Sequence, residues 1–149
     1  GEGPVEDLAF DGIEAARPTP EVLDAIARAR AIVIGPSNPI VSIGPILAVA
    51  GMREALHAAA APVVAVSPIV GGEVLKGPTA AFMEHANQPV SVAGVAALYG
   101  DLLDGLVADE RLPEEVELPL LETDLLMADG AGRQRLARET LAFATALAG

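Results

Sequence analysis

The sequence predicts an α/β protein with a mostly parallel sheet flanked by helices. Three observations predict it. Aliphatic runs such as Ile32-Val33-Ile34 and Val63-Val64-Ala65-Val66 have the pattern of strands buried on both faces. Stretches with helical periodicity alternate with these runs. Gly, Pro, Ser and Asn follow the runs, placing small-residue loops at strand carboxyl ends, where parallel sheets bind ligands.

Each element has a local reason. Thr19-Pro20-Glu21 starts a helix: Thr19 caps, Pro20 suits the first helical position and Glu21 complements the dipole. Val22, Leu23, Ile26 and Ala29 give it one apolar side through about residue 30. Ala31 to Gly35 is a strand. Pro45 to Ala60 is helical, broken or kinked at Gly51, and Pro62 to Ser67 is a second buried strand. Gly71 to Pro78 is a glycine-rich loop, and Thr79 to Asn87 a short helix with Phe82 and Met83 inward. Ser91 to Tyr99 is a helix packing through Val92, Val95, Ala96 and Tyr99. Leu102 to Val107 and Val116 to Leu126 hold the remaining strands, joined by a polar connector at Leu112 to Glu115. Gly132 to Ala148 is an amphipathic helix with Leu136, Thr140, Leu141, Ala144 and Leu147 as its stripe; Arg133, Arg135, Arg138 and Glu139 lie mostly outside it.

Composition narrows the chemistry. The 149 residues suit a single α/β domain, with residues 1–9 reading as an acidic linker. The apolar fraction is 52% and aromatics only 3%, so Ala, Val, Leu and Ile must fill the core. The absence of cysteine removes disulfides, thiolate catalysis and cysteine-held zinc, and fits a cytoplasmic location. His57 and His85 share no metal-ligand spacing and read as surface histidines. A net charge of −12 argues against nucleic acid and against anionic membrane surfaces. A phosphorylated small molecule remains compatible, given local helix N-termini, a few cations or a divalent metal. No stretch is long and apolar enough to cross a bilayer.

Two loops carry the candidate chemistry. The first is Gly35-Pro36-Ser37-Asn38-Pro39, continuing through Ser42 to Gly44. It offers main-chain amides, two hydroxyls and a carboxamide, an uncharged set suited to phosphate oxygens. It is equally an inventory of turn formers. It is neither G-x-G-x-x-G nor G-x-S-x-G, and no histidine is placed for a serine nucleophile. The second, Gly72 to Thr79, nearly spells a P-loop, but Pro78 stands where the phosphate-binding lysine belongs. Lys76, the chain's one lysine, could reach a phosphate as a mobile charge or could simply be solvated. Asp101, Asp104 and Asp124 could ligate Mg²⁺, but turn and cap roles suit them better.

Together these loops resemble the 2-phospho-L-lactate transferases of coenzyme F-420 biosynthesis. Gly35-Pro36-Ser37-Asn38-Pro39, Ser42 to Val49, Ser67-Pro68-Ile69-Val70-Gly71-Gly72 and Lys76-Gly77-Pro78 carry the likeness. It continues through Gly94-Val95-Ala96, Tyr99-Gly100-Asp101, Asp104-Gly105, Thr123-Asp124 and Met127. The resemblance implies a Rossmann-like fold and a cytoplasmic, homodimeric enzyme. It also implies transfer of a phospholactyl or phosphoenolpyruvyl group from a guanosine diphosphate-linked donor to the deazaflavin 7,8-didemethyl-8-hydroxy-5-deazariboflavin, releasing GMP, with Mg²⁺ expected.

Carried over, Gly35, Pro36, Ser37, Asn38, Ser42 and Gly44 would bind the nucleotide, and Ser67, Gly71, Gly72, Lys76 and Gly77 would shape the adjoining pocket. The family's amino-terminal Gly-Gly-Thr-Gly-Gly loop and following aspartates are absent. The chain therefore reads as the carboxyl-terminal part of a longer transferase. The catalytic residues and metal ligands are expected outside it, and the part alone is expected to be inactive. Leu125 also replaces an expected threonine. Two alternatives stand: a non-catalytic nucleotide-sugar-binding regulator of carbon metabolism with the same fold, and a scaffold or dimer surface with all chemistry elsewhere. The donor's three-carbon unit, lactyl or enolpyruvyl, is left open.

Overall fold

The computed structural model describes residues 5–74 and 77–149. The expectations placed on Lys76 and on residues 1–4 of the linker lie outside the described residues. Along the chain come α1 (Pro20–Ala27), β1 (Ile32–Ile34), α2 (Gly44–Ala48), α3 (Met52–His57), β2 (Val63–Val66), β3 (Ile69–Val70), β4 (Glu73–Val74), α4 (Thr79–His85), α5 (Val92–Tyr99), β5 (Gly105–Ala108), β6 (Leu120–Glu122) and α6 (Gly130–Leu147).

Four strands form one parallel sheet in the order β1-β2-β5-β6. Its register aligns Val33 with Val64, Val64 with Gly105, and Val107 with Leu121. The expected α/β class and parallel sheet are therefore present. Strand alternation sorts the core into two layers. Val63, Ala65, Leu106 and Ala108 pack with Met52 and Leu56 of α3, Met83 of α4, and Val92, Val95 and Tyr99 of α5. Val64, Val66 and Val107 pack with Leu136 and Ala144 of α6. At Gly105 a Cβ would stand 2.7 Å from atoms of both Leu147 and Phe143, so the missing side chain lets α6 settle onto β5.

The second layer stops short of β1. Val33, expected to be covered on both sides, is 41% exposed, and Leu141 of the expected α6 stripe is 53% exposed. They line an apolar groove of about 310 Å³ with Val66, Leu136, Ala137 and Thr140. Across the sheet, β1 has no second strand neighbour among the described residues.

The helices begin where their caps predict. Thr19 Oγ1 accepts the Val22 N–H, Ser91 Oγ that of Gly94 at 3.2 Å, and Asp129 Oδ1 that of Gly132 at 2.7 Å. Gly51, at φ 90°, separates α2 from α3 as expected. Three boundaries move. The first helix ends at Ala27, Leu102 belongs to the 3₁₀ turn Gly100–Leu102, and the last strand shrinks to Leu120–Glu122. The stretch before it holds Pro113, Pro119 and three glutamates, which shorten the ladder. Among the described residues no helix is long and apolar enough to cross a membrane.

Tyr99 is buried to 1% exposure, and its hydroxyl has no hydrogen-bond partner among the described residues. Burial pushes its pKa up to about 12. The unfolded chain ionises near the ordinary value of 10, so stability present below pH 10 is lost as pH rises toward 12. Tyr99→Phe is expected to remove that alkaline loss and to leave neutral stability equal or higher by up to about 1 kcal/mol. Urea unfolding at pH 7 and pH 11 checks both.

Candidate functional site

Three segments meet at the carboxyl ends of the parallel strands. Pro36, Ser37, Asn38, Val41 and Ser42 follow β1, and Leu125 to Ala128 follow β6. Between them come Ser67, Pro68, Val70 and Val74 with Gly77, Pro78 and Thr79. They enclose a cleft of about 590 Å³, and none of these lining residues is charged. This is the sheet end at which parallel α/β folds hold ligands.

The loop after β1 is fixed by its own hydrogen bonds. The Ser37 N–H bonds Gly35 O at 2.8 Å. Asn38 Oδ1 accepts the N–H groups of Ile40 and Val41 at 2.9 and 3.1 Å. Asn38 O accepts those of Ser42 and Ile43 at 3.2 and 3.1 Å. The last bond spans five residues and makes Pro39–Ile43 a single π turn, a local irregularity common at functional sites. Five amides expected to face phosphate are thus already engaged. The loop also carries side-chain donors. The Ser37 and Ser42 hydroxyls line the cleft, and Asn38 Nδ2 is buried without a partner among the described residues. A buried amide donor left unpaired is costly, so it suits an acceptor brought by a ligand.

The second loop differs from its expected form. Ile69-Val70 and Glu73-Val74 pair antiparallel as a hairpin, with Val70 opposite Glu73. Gly71 and Gly72 are its two-residue turn, at φ 59° and 77°, values that glycine adopts without the strain a side chain would bring. Their job is to turn the chain, and neither lines the cleft. Ser67 does line it, but the Ser67 hydroxyl is drawn into a local turn, accepting the Ile69 N–H at 3.0 Å. Gly77 also lines it, at φ 82°. Gly35 faces the apolar groove beside α6 instead. Gly44 starts α2, where a Cβ would stand 3.3 Å from Pro39 O and 3.5 Å from Phe10 Cζ.

The scattered carboxylates take structural places. Asp104 precedes β5, at the sheet end opposite the cleft, and its Oδ2 accepts the Val63 N–H at 2.7 Å. Asp101 is exposed beside Arg53 and His57. Asp124 Oδ1 accepts the Leu126 N–H at 2.8 Å. Among the described residues no three His, Asp or Glu side chains converge as a metal site. The donors described here therefore do not fit Mg²⁺.

Asp109 has a structural role that residue types alone do not reveal. It directly follows β5, and its Oδ2 accepts the Gly71 N–H at 2.8 Å, clamping the hairpin turn to the sheet. Thr79, read only as a helix start, is buried and lines the cleft.

Comparison with known proteins identifies the family. The family model for 2-phospho-L-lactate transferase CofD matches residues 1–130. A 2-phospho-L-lactate transferase from Methanopyrus kandleri is 40% identical, covering 100% of this chain and 49% of that protein. One from Methanospirillum hungatei is 44% identical, over 83% of this chain and 40% of the relative. A phosphoenolpyruvate transferase from Kitasatospora aureofaciens is 44% identical, over 89% of this chain and 44% of the relative. The chain spans about half the length of the curated relatives it matches. A match over most of its length, set on a parallel sheet with the Ser37–Ser42 cleft at its carboxyl tips, makes this chain a member of the 2-phospho-L-lactate transferase CofD family.

Proposed function

We propose that the cleft binds the diphosphate of a guanosine diphosphate-linked three-carbon acid, in a cytoplasmic, homodimeric transferase of coenzyme F-420 biosynthesis. The observation that carries this reading is the unpaired, buried Asn38 Nδ2 beside the Ser37 and Ser42 hydroxyls. Their donors suit phosphate oxygens without requiring a salt bridge. Family membership supplies the reaction class.

In the proposed step a deazaflavin ribityl hydroxyl attacks the phosphorus next to the three-carbon unit. A new P–O bond forms, the P–O bond to GMP breaks, and the hydroxyl proton is lost. The product is a phosphodiester. The residues described here contribute positioning and hydrogen bonding, which is what phosphoryl transfer chiefly needs. Main-chain bonds of Ser37 to Gly35 and of Ser42 to Asn38 fix one wall, and Val70, Val74 and Leu125 to Ala128 give the cleft an apolar lining. The Mg²⁺ implied by the resemblance would draw its protein ligands from outside the described residues.

Calorimetric titration of the protein with GDP and with UDP-glucose tests the reading. GDP is expected to bind at least about tenfold more tightly, roughly 1.4 kcal/mol. Preference for the UDP-sugar, with no GMP released from donor and deazaflavin, would replace the transferase with the nucleotide-sugar regulator.

A further inference from the structure

We propose that Arg135 is a positioning residue for the cleft, tying the wall formed by Leu125 to Ala128 to α6. This rests on reading the cleft as a diphosphate site. The connection from β6 to α6 has no regular structure of its own, yet it supplies one side of the cleft. Leu125 anchors it inward, buried against Val64, Val66 and Leu136. Leu126 and Met127 are exposed.

One guanidinium holds the connection from outside. Arg135 Nη1 donates to Thr123 Oγ1 at 3.0 Å and to Glu139 Oε2 at 2.9 Å. Its Nη2 donates to the Asp124 carbonyl oxygen at 2.6 Å and stands 3.4 Å from Asp124 Oδ2. The Thr123 hydroxyl in turn donates to Glu139 Oε2 at 2.6 Å. Asp124 Oδ1 then accepts the Leu126 N–H, passing the constraint into the wall.

An isolated exposed ion pair would do little. Here one planar fork serves a hydroxyl, a carboxylate and a main-chain carbonyl at once. A lysine, with a single ammonium on a flexible stem, cannot match that geometry. Neither Arg135, Thr123 nor Glu139 lines the cleft, so the effect on ligand runs through the wall.

The test compares Arg135→Ala, Arg135→Lys and Arg111→Ala with the unaltered protein. Arg111→Ala removes the arginine–carboxylate pair at the end of β6, to Glu122 at 3.1 Å, which shares no partner with Arg135. Amide hydrogen exchange at residues 126–128 reads the tether without any ligand, and GDP titration reads its consequence. Arg135→Ala is expected to speed exchange there and to weaken GDP about tenfold. Arg135→Lys should lie between, and Arg111→Ala should match the unaltered protein in both. Unchanged loop exchange in Arg135→Ala overturns the proposal. So does faster exchange with undiminished GDP affinity. If the unaltered protein does not bind GDP, the diphosphate reading fails by itself, and the exchange result alone decides whether Arg135 holds the wall.

Discussion

Gly94→Ala is expected to cost about 3 kcal/mol and to lower the melting temperature by roughly 10 °C. A Cβ at Gly94 would stand 1.9 Å from the Pro89 carbonyl oxygen and 3.0 Å from Met83 Cε. The methionine end can move; the carbonyl cannot move cheaply. Pro89 O also accepts the Ser91 N–H at 2.9 Å, and Ser91 Oγ caps α5 through the Gly94 N–H. Relief of the clash therefore disturbs the cap and tilts the helix that brings Val92, Val95 and Tyr99 into the core. Gly130→Ala is the contrast. It stands at the first position of α6 with no other atom within 4 Å of its added Cβ. There alanine should stabilise by about 0.5 kcal/mol. Thermal unfolding of the two variants checks the pair. Equal melting temperatures would show that the close approach of α5 to Pro89 is not real.

Asn38 variants should separate folding from the proposed binding. Its Oδ1 accepts the Ile40 and Val41 N–H groups, while its Nδ2 is buried without a partner among the described residues. Asn38→Asp keeps the acceptor at the helical N-terminus but sets a carboxylate oxygen in the buried, unpartnered Nδ2 position, so stability should fall by roughly 1–3 kcal/mol. The same change deletes the donor and sets negative charge against phosphate. GDP affinity should then fall about a hundredfold, the sum of a lost buried hydrogen bond and a close like-charge contact. Asn38→Ala loses the cap, at about 1 kcal/mol of stability, but brings no repulsion, so its affinity should fall only about tenfold. Urea unfolding and GDP calorimetry on both variants check this. An aspartate variant that binds GDP like the unaltered protein would mean that no phosphate approaches Asn38.

The sequence was legible where local rules decide. Thr19 caps where expected, a helix follows Ser91 as expected, Gly51 divides its helix, and Val63 to Val66 form a buried strand. The hairpin was also within reach, since two glycines between Ile69-Val70 and Glu73-Val74 are a two-residue turn signal.

Other features depend on distant partners. Asp109 meets Gly71 from 38 residues away, and Arg135 meets Thr123 from 12. On periodicity alone Arg135 and Glu139 belong to a solvated helix face. Nor could residue types show that Asn38 Oδ1 would accept two N–H groups at once, because that follows from the π turn beginning at Pro39.

Ile32–Ile34 has the vocabulary of an inner strand and stands at a border. No lysine, proline or bulge blunts it, and the bare Val33 lies beside the apolar groove. Such a margin is a template for further extended chain, whichever molecule supplies it. The matched relatives, about twice as long, have sequence to spare for that seat. A solution of this chain alone is expected to offer that margin to its own copies.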